Sequence, residues 1–248
     1  MPVPPAERRW LVRLSSDEVT PRVFAHGTAL GGYDLAWVVM ERLGYGPLGR
    51  KWGGEAVRML DDAAAHFSAS AGVVPLDGQP KVRDWPALLK RAREHVSPGV
   101  VEHSQRWKRA LKRAGRKLDG WLDTWHARPL TTWCHGDLHL GNAMSRAAPP
   151  DGPAVLFDLA NVRVGHWVQD AVYFEHLYWA HPERLHGHKP VKLIAHYLRD
   201  YGLSPGDDWP ALANIKRALL AMSAPGVMDA GGGRRQVAAS LEVLERYV

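Results

Sequence analysis

Apolar residues recur at helical spacing along most of this chain and alternate at strand spacing in only a few short stretches. Trp10, Leu11 and Leu14 share one side of a helix predicted over 6–16. Pro21 forces an extended start, so 22–26 reads as a strand. The turn-rich stretch 26–32 follows, and then a buried-looking strand at 36–41. Two strands about a glycine turn predict a hairpin. Beyond Gly44, Gly46 and Pro47 the pattern changes. Val57, Leu60, Ala64 and Phe67 keep helical spacing, and further helices are predicted at about 84–96, 102–118, 167–180, 190–201, 209–223 and 236–247. Between the helical blocks lies a strand-rich island over 131–158. A small β-containing N-terminal piece on a larger helical part makes an α+β fold.

Composition narrows the class. The chain has 248 residues, 46% of them hydrophobic, enough for a packed core. No apolar run reaches the length of a membrane span, and the first residues carry no secretory pattern. The single cysteine, Cys134, allows no internal disulfide, which fits a reducing compartment and a cytoplasmic location. Net charge is +6, much of it in one helix. There Arg106, Lys108, Arg109, Lys112, Arg113, Arg116 and Lys117 oppose a stripe of Trp107, Leu111, Ala114 and Leu118. No nucleic-acid motif accompanies these cations, so a solvated helix face is expected, and neither nucleic acid nor membrane is expected as a partner.

The densest polar cluster runs from Trp133 to Asn142 and includes His135, Gly136, Asp137 and His139. A short apolar run, Val155-Leu156-Phe157, then ends in Asp158. Two carboxylates and a carboxamide at this spacing can hold Mg²⁺ through hard oxygen ligands and leave one carboxylate free to accept a proton. Phosphoryl transfer requires those parts. His135 and His139 are four apart, but Gly136 breaks the helical reading and no glutamate follows His135, so a zinc pair is not expected. Cys134, on the apolar run before the loop, is expected to be a buried, inert thiol.

His135-Gly136-Asp137 with Asn142, followed by Asp158, resembles the catalytic and metal-binding segments of the aminoglycoside phosphotransferase and choline kinase-like family, relatives of the protein kinases. Gly165 and Asp170 stand where that family has a turn glycine and a helix aspartate bracing the catalytic loop. Thr20–Phe24 and Trp37–Leu43 are similar to its fourth and fifth strands and hinge. The resemblance covers most of 6–180, and its specific part is the island. It implies a protein kinase-like fold in which 1–43 is the remnant of a nucleotide-binding β lobe and 44–248 a mainly helical lobe with the catalytic and metal-binding loops. It further implies ATP and Mg²⁺ as cofactors and a small-molecule hydroxyl as phosphate acceptor. Asp137 would accept or position the acceptor proton, and Asn142 and Asp158 would hold Mg²⁺. Met40, Glu41 and Leu43 would lie along the adenine, while His135, Asp170 and Glu7 would support the loops.

The family pattern also contains a glycine-rich hairpin and a lysine strand ahead of the helix that carries Glu7. This chain has no lysine before Lys51. The resemblance therefore implies a β lobe without its first three strands, and a Glu7 without its lysine, for which Arg8 or Arg9 would be imperfect substitutes. A gene model that omits upstream strands and a short protein with a half-built nucleotide site both account for this. The second makes a catalytically impaired, pseudokinase-like binding protein the alternative to an active kinase. From residue 159 onward ten Lys/Arg meet nine Asp/Glu, so no acidic half marks a polycationic antibiotic as acceptor. The aromatics Trp167, Tyr173, Phe174, Tyr178 and Trp179 are expected to be core rather than a cage for a quaternary ammonium, and His181, His186 and His188 to be a solvated loop.

Overall fold

Proline and glycine set the limits of the first elements. Helix α1 (Pro5–Arg13) carries a proline in its first turn, where no backbone N–H is required, and buries Trp10 and Leu11. Strands β1 (Val23–Leu30) and β2 (Tyr33–Met40) form an antiparallel hairpin. The strands run further into the expected turn than the sequence suggests, so only Gly31 and Gly32 remain between them, with φ of 59° and 85°. Two successive positive φ values are what a tight hairpin turn demands and what glycine supplies. The edge of β2 is covered rather than bare. Val3 N–H donates to Ala36 O at 3.0 Å, and Val38 N–H donates to Met1 O at 3.1 Å.

The computed structural model describes residues 1–15, 18–50, 53–96, 101–227 and 233–248. The chain divides into two compact units. The first comprises Met1–Lys81, Leu130–Phe174 and Glu183–Pro205, and the second Val82–Pro129, Glu175–Pro182 and Gly206–Val248.

In the first unit, α2 (Gly54–Ala71) packs against α6 (Pro190–Asp200) and against the short strands of the island. These strands are β3 (Thr132–Cys134), β4 (Ala143–Ser145), β5 (Ala154–Leu156) and β6 (Arg163–Gly165). The pairs are β3 with β6 and β4 with β5, both antiparallel. Strand β6 lies beyond the expected island because three residues with one strongly apolar member, Val164, give too little alternation to recognise. The core here is aromatic at its centre. The fully buried Trp10 meets Trp133 edge-on at 4.8 Å between ring centroids and Phe67 at 6.5 Å, and the Trp133 indole N–H donates to Val74 O.

The second unit is helical. Helices α3 (Trp85–His95), α4 (Ser104–Ala127), α7 (Trp209–Val227) and α8 (Arg234–Glu245) pack on one another. Helix α4 runs nine residues past its expected end at 118, because the buried stripe continues from Leu118 to Trp125. Its basic face is not wholly solvated. Arg106 pairs with Glu245 at 2.6 Å, and Lys117 Nζ donates to Tyr247 O at 2.7 Å. Helix α5 (Val168–His176), which opens in the first unit, stops short of the expected 180. The Gln236 side chain donates to the carbonyl of His176 at 2.5 Å and accepts the Ala180 N–H, while Pro182 disfavours continuation. Among the described residues no helix is long and apolar enough to cross a membrane.

Candidate active site

The loop between β3 and β4 is held from two sides. On one side stands Asp170, in the first turn of α5. Its Oδ2 accepts the His135 N–H at 2.6 Å and its Oδ1 accepts the Gly136 N–H at 3.0 Å. Burial raises the Asp170 carboxyl above its ordinary range, while His135, Arg163 and the two N–H donors pull the other way. Gly136 has φ of 85°, and a Cβ there would collide with the Asn161 carbonyl and the Arg163 guanidinium. The close approach is used, for Arg163 reaches the Gly136 carbonyl at 3.4 Å and the Asn161 carbonyl at 3.0 Å.

His135 is a neutral anchor. Burial lowers its pKa despite the carboxylates around it. A neutral ring has one donor and one acceptor, and both find partners here. Nε2–H donates to Phe157 O at 3.1 Å, and Nδ1 accepts the Asp137 N–H at 3.3 Å. One imidazole thereby links the loop carrying Asp137 to the strand end before Asp158.

Among the described residues the Asp137 carboxylate is hydrogen-bonded by two side chains and approached by a third. Oδ1 accepts the Tyr173 hydroxyl at 2.7 Å, and Asn142 Nδ2 lies 3.4 Å from Oδ2 and 3.0 Å from the Asp137 carbonyl. His139 Nε2 is 3.8 Å from Oδ1. The His139 Nδ1 accepts the Gly141 N–H and starts the short turn Leu140–Asn142, so Nε2 carries the proton that faces Asp137.

Strand register brings Asn142 and Asp158 to one place. Ala143 pairs with Leu156, and Phe157 N–H donates to Asn142 O at 3.2 Å, one residue before Asp158. Asp158 itself is left-handed, with φ of 59° and ψ of 57°. Glu7, buried on α1, lies beside the backbone N–H groups of Asp158 and Leu159. Burial, reinforced by the Asp158 charge, raises the Glu7 carboxyl, and the two N–H groups offset part of the rise. The arginines expected as substitutes are engaged elsewhere. Arg8 lies 3.4 Å from His26, and Arg9 stacks over the Trp10 ring.

The segment Met40–Leu43 leaves β2 along the other end of β4. Tyr45 and Ser145 exchange backbone hydrogen bonds. Just beyond, Arg146 grips the Glu41 carboxylate with Nε at 3.1 Å to both oxygens, and also donates to the Glu18 and Thr20 carbonyls. Burial alone would raise Glu41, but the Arg146 guanidinium and the Arg22 N–H together hold it below its ordinary range. The Glu41 side chain is therefore committed to the protein. The Leu43 N–H has no partner among the described residues.

A model of the phosphotransferase enzyme family, APH, matches residues 3–215. The chain belongs to that family. Solved structures agree in fold. An aminoglycoside phosphotransferase from Alicyclobacillus acidocaldarius superposes with a TM-score of 0.64 at 14% identity, over 99% of this chain and 82% of that one. A microcompartment-associated aminopropanol kinase gives 0.62 at 18% over the same shares, and a glucosamine kinase gives 0.58 at 16% over 99% and 69%. Comparison with curated proteins finds no match. The α+β, kinase-like fold expected from the island is thus the fold of this phosphotransferase-family chain.

Two parts of the site escape the sequence reading. Tyr173, grouped there with the aromatic core, instead bonds Asp137, whereas Trp167, Phe174 and Tyr178 are buried as expected. Its spacing held the signal, since Asp170 and Tyr173 are three apart on one helix and so share a face. Arg146 gave none, because its partners lie more than a hundred residues away. Among the described residues no group of three or more His, Cys, Asp or Glu side chains is placed to hold a metal, and His181, His186 and His188 form no such group. Cys134 is buried, as expected, with its thiol 3.4 Å from the His166 carbonyl.

Proposed function

We propose that this phosphotransferase-family chain moves the γ-phosphoryl group of Mg-ATP to a hydroxyl of a small molecule. The observation that carries the reading is the side-by-side arrangement of Asp137, Asn142 and Asp158 on loops fixed by His135 and Asp170. Asp137 is the group that accepts the acceptor's proton. Asn142 and Asp158 supply the oxygen ligands that suit Mg²⁺. Their setting fits that ion: Asn142 Nδ2 is spent on Asp137, which leaves Oδ1 as its ligand atom, and the Glu7 carboxylate lies against the Asp158 backbone. When bound, Mg²⁺ neutralises phosphate charge and orients the nucleotide. The Leu43 N–H, unpartnered among the described residues, and the backbone of Met40 and Glu41 are suited to the adenine edge, with Glu41 held in place by Arg146. In this reading residues 1–43 form the nucleotide lobe and 44–248 the catalytic lobe, and the protein works in the cytoplasm.

The acceptor is a small hydroxyl compound rather than a polycationic antibiotic, in keeping with the near balance of charge after residue 159. The aminopropanol and glucosamine kinases with the same fold make amino alcohols and amino sugars the first acceptors to try. A second reading, nucleotide binding without transfer, is favoured by one observation. Glu7 meets backbone N–H groups where the family pairs its glutamate with lysine.

The test is ADP release from Mg-ATP across a panel of amino alcohols, amino sugars and choline, with Asp137→Ala as control. Acceptor-dependent ADP release that the variant abolishes supports transfer. Mg-ATP binding with no release for any acceptor supports the second reading.

A further inference from the structure

Asp137 has two carboxylate oxygens in unlike surroundings. Oδ1 accepts a short hydrogen bond of 2.7 Å from the Tyr173 hydroxyl, whereas among the described residues Oδ2 has only the long 3.4 Å approach of Asn142 Nδ2. The His139 Nε2–H waits 3.8 Å from Oδ1, too far for a hydrogen bond but near enough to capture that oxygen if the carboxylate turned. Tyr173 projects from α5 one turn after Asp170, and Asp170 already holds the N–H groups of His135 and Gly136. One helix face therefore grips three successive residues, two by their backbone and the third by its side chain.

We infer that Tyr173 is a positioning residue, whose hydroxyl fixes the Asp137 carboxylate so that Oδ2 is the atom receiving the acceptor's proton. This inference rests on the phosphotransferase reading and extends it to a residue outside the His–Gly–Asp and Asn segments. The physical reason is directional. A carboxylate on one rotatable bond sweeps both oxygens through the site, and a single short hydrogen bond to one oxygen fixes the direction of the other. With Oδ1 already accepting, the proton leaving the acceptor goes to Oδ2. The acceptor oxygen then bonds to the γ-phosphorus as the bond to the ADP oxygen breaks. A phenylalanine at 173 keeps the ring and its packing and removes only the donor, so the carboxylate is free to turn toward His139. Misaligned proton acceptors slow transfer without weakening substrate binding.

The experiment is a kinetic cycle on the full chain, with Tyr173→Phe, Asp137→Asn and the double variant. Turnover is read as ADP release from Mg-ATP with the best acceptor of the panel, or with water as acceptor. Tyr173→Phe is expected to lower kcat by roughly tenfold to a hundredfold, with the KM for ATP and the Tm close to wild type. In the Asp137→Asn background it is expected to add nothing. A Phe variant with wild-type kcat, or an equal loss of kcat in both backgrounds, overturns the inference and leaves the kinase reading standing. A wild-type chain that releases no ADP under any of these conditions overturns both.

Discussion

Glu7 on α1 lies against the backbone of Asp158 and Leu159, whose N–H groups favour its charged form. The contact joins the first helix to the turn that carries a proposed metal ligand. It gives Glu7 a role that does not depend on a lysine. Glu7→Ala removes the buried carboxylate that faces these two backbone N–H groups, and loss of such an acceptor costs about 1–3 kcal/mol. Urea unfolding should show a destabilisation of at least about 1 kcal/mol, and the Mg²⁺-dependent affinity for ATP should fall as well. Wild-type stability in Glu7→Ala would show that the contact carries no weight.

Arg146 should matter more than its surface position in sequence suggests. Its guanidinium is the common partner of the Glu41 carboxylate and of the Glu18 and Thr20 carbonyls. Arg146→Ala removes all of these at once and leaves a half-buried carboxylate with the Arg22 N–H but no cation, so a loss of about 2–3 kcal/mol is expected in denaturant unfolding. Arg146→Lys should recover only part of it, because a lysine has no planar fork to span both oxygens.

His176 sets an acid limit on stability. Burial, with the charges of Lys216 and Arg83 nearby, pushes its pKa down to about 4, and its Nδ1 has no hydrogen-bond partner among the described residues. The folded state then binds its proton less readily than the unfolded state. The sign follows: this neutral histidine costs nothing above about pH 6.5, and stability is lost as pH falls from there toward 4. The full loss is about 3 kcal/mol. His176→Leu should flatten the wild-type fall in urea midpoint over that interval, leaving the two proteins alike near pH 8. Parallel curves across the whole range would contradict the assignment.

The legibility of this protein in its sequence followed the range of the interactions. The helices were readable because each buries a stripe, and Trp107, Leu111 and Ala114 do so fully. The His135–Asn142 loop was readable because its residue types sit at fixed short spacing. What escaped was either too short or too distant. Strand β6 has three residues, and only its pairing with β3 defines it. Arg146 meets Glu41 across 105 residues, and nothing local marks that meeting. The covered edge of β2 belongs to the same class, since Met1–Val3 carries no strand pattern of its own.

Gly136 gives a sharp check on the loop geometry. With positive φ and two neighbours already against its α-carbon, Gly136→Ala strains the backbone and displaces either Asn161 or Arg163. A destabilisation of about 1–3 kcal/mol is expected, together with loss of turnover. Gly120→Ala, in the middle of α4 with open space around its α-carbon, should instead be neutral or stabilising by a few tenths to about 1 kcal/mol.

The central claim is a Mg²⁺-dependent nucleotide site built on Asp158 and Asn142, with Asp137 beside it for the chemistry. The most direct measurement is a thermal-shift titration with ATP, with and without Mg²⁺, on wild type, Asp158→Ala and Asp137→Ala. The account predicts a rise in Tm that requires Mg²⁺, reflecting about 2.7 kcal/mol at a hundredfold excess over Kd. Asp158→Ala should abolish the rise and Asp137→Ala should keep it. No Mg²⁺-dependent rise in well-folded wild type, or an undiminished rise in Asp158→Ala, would contradict the account.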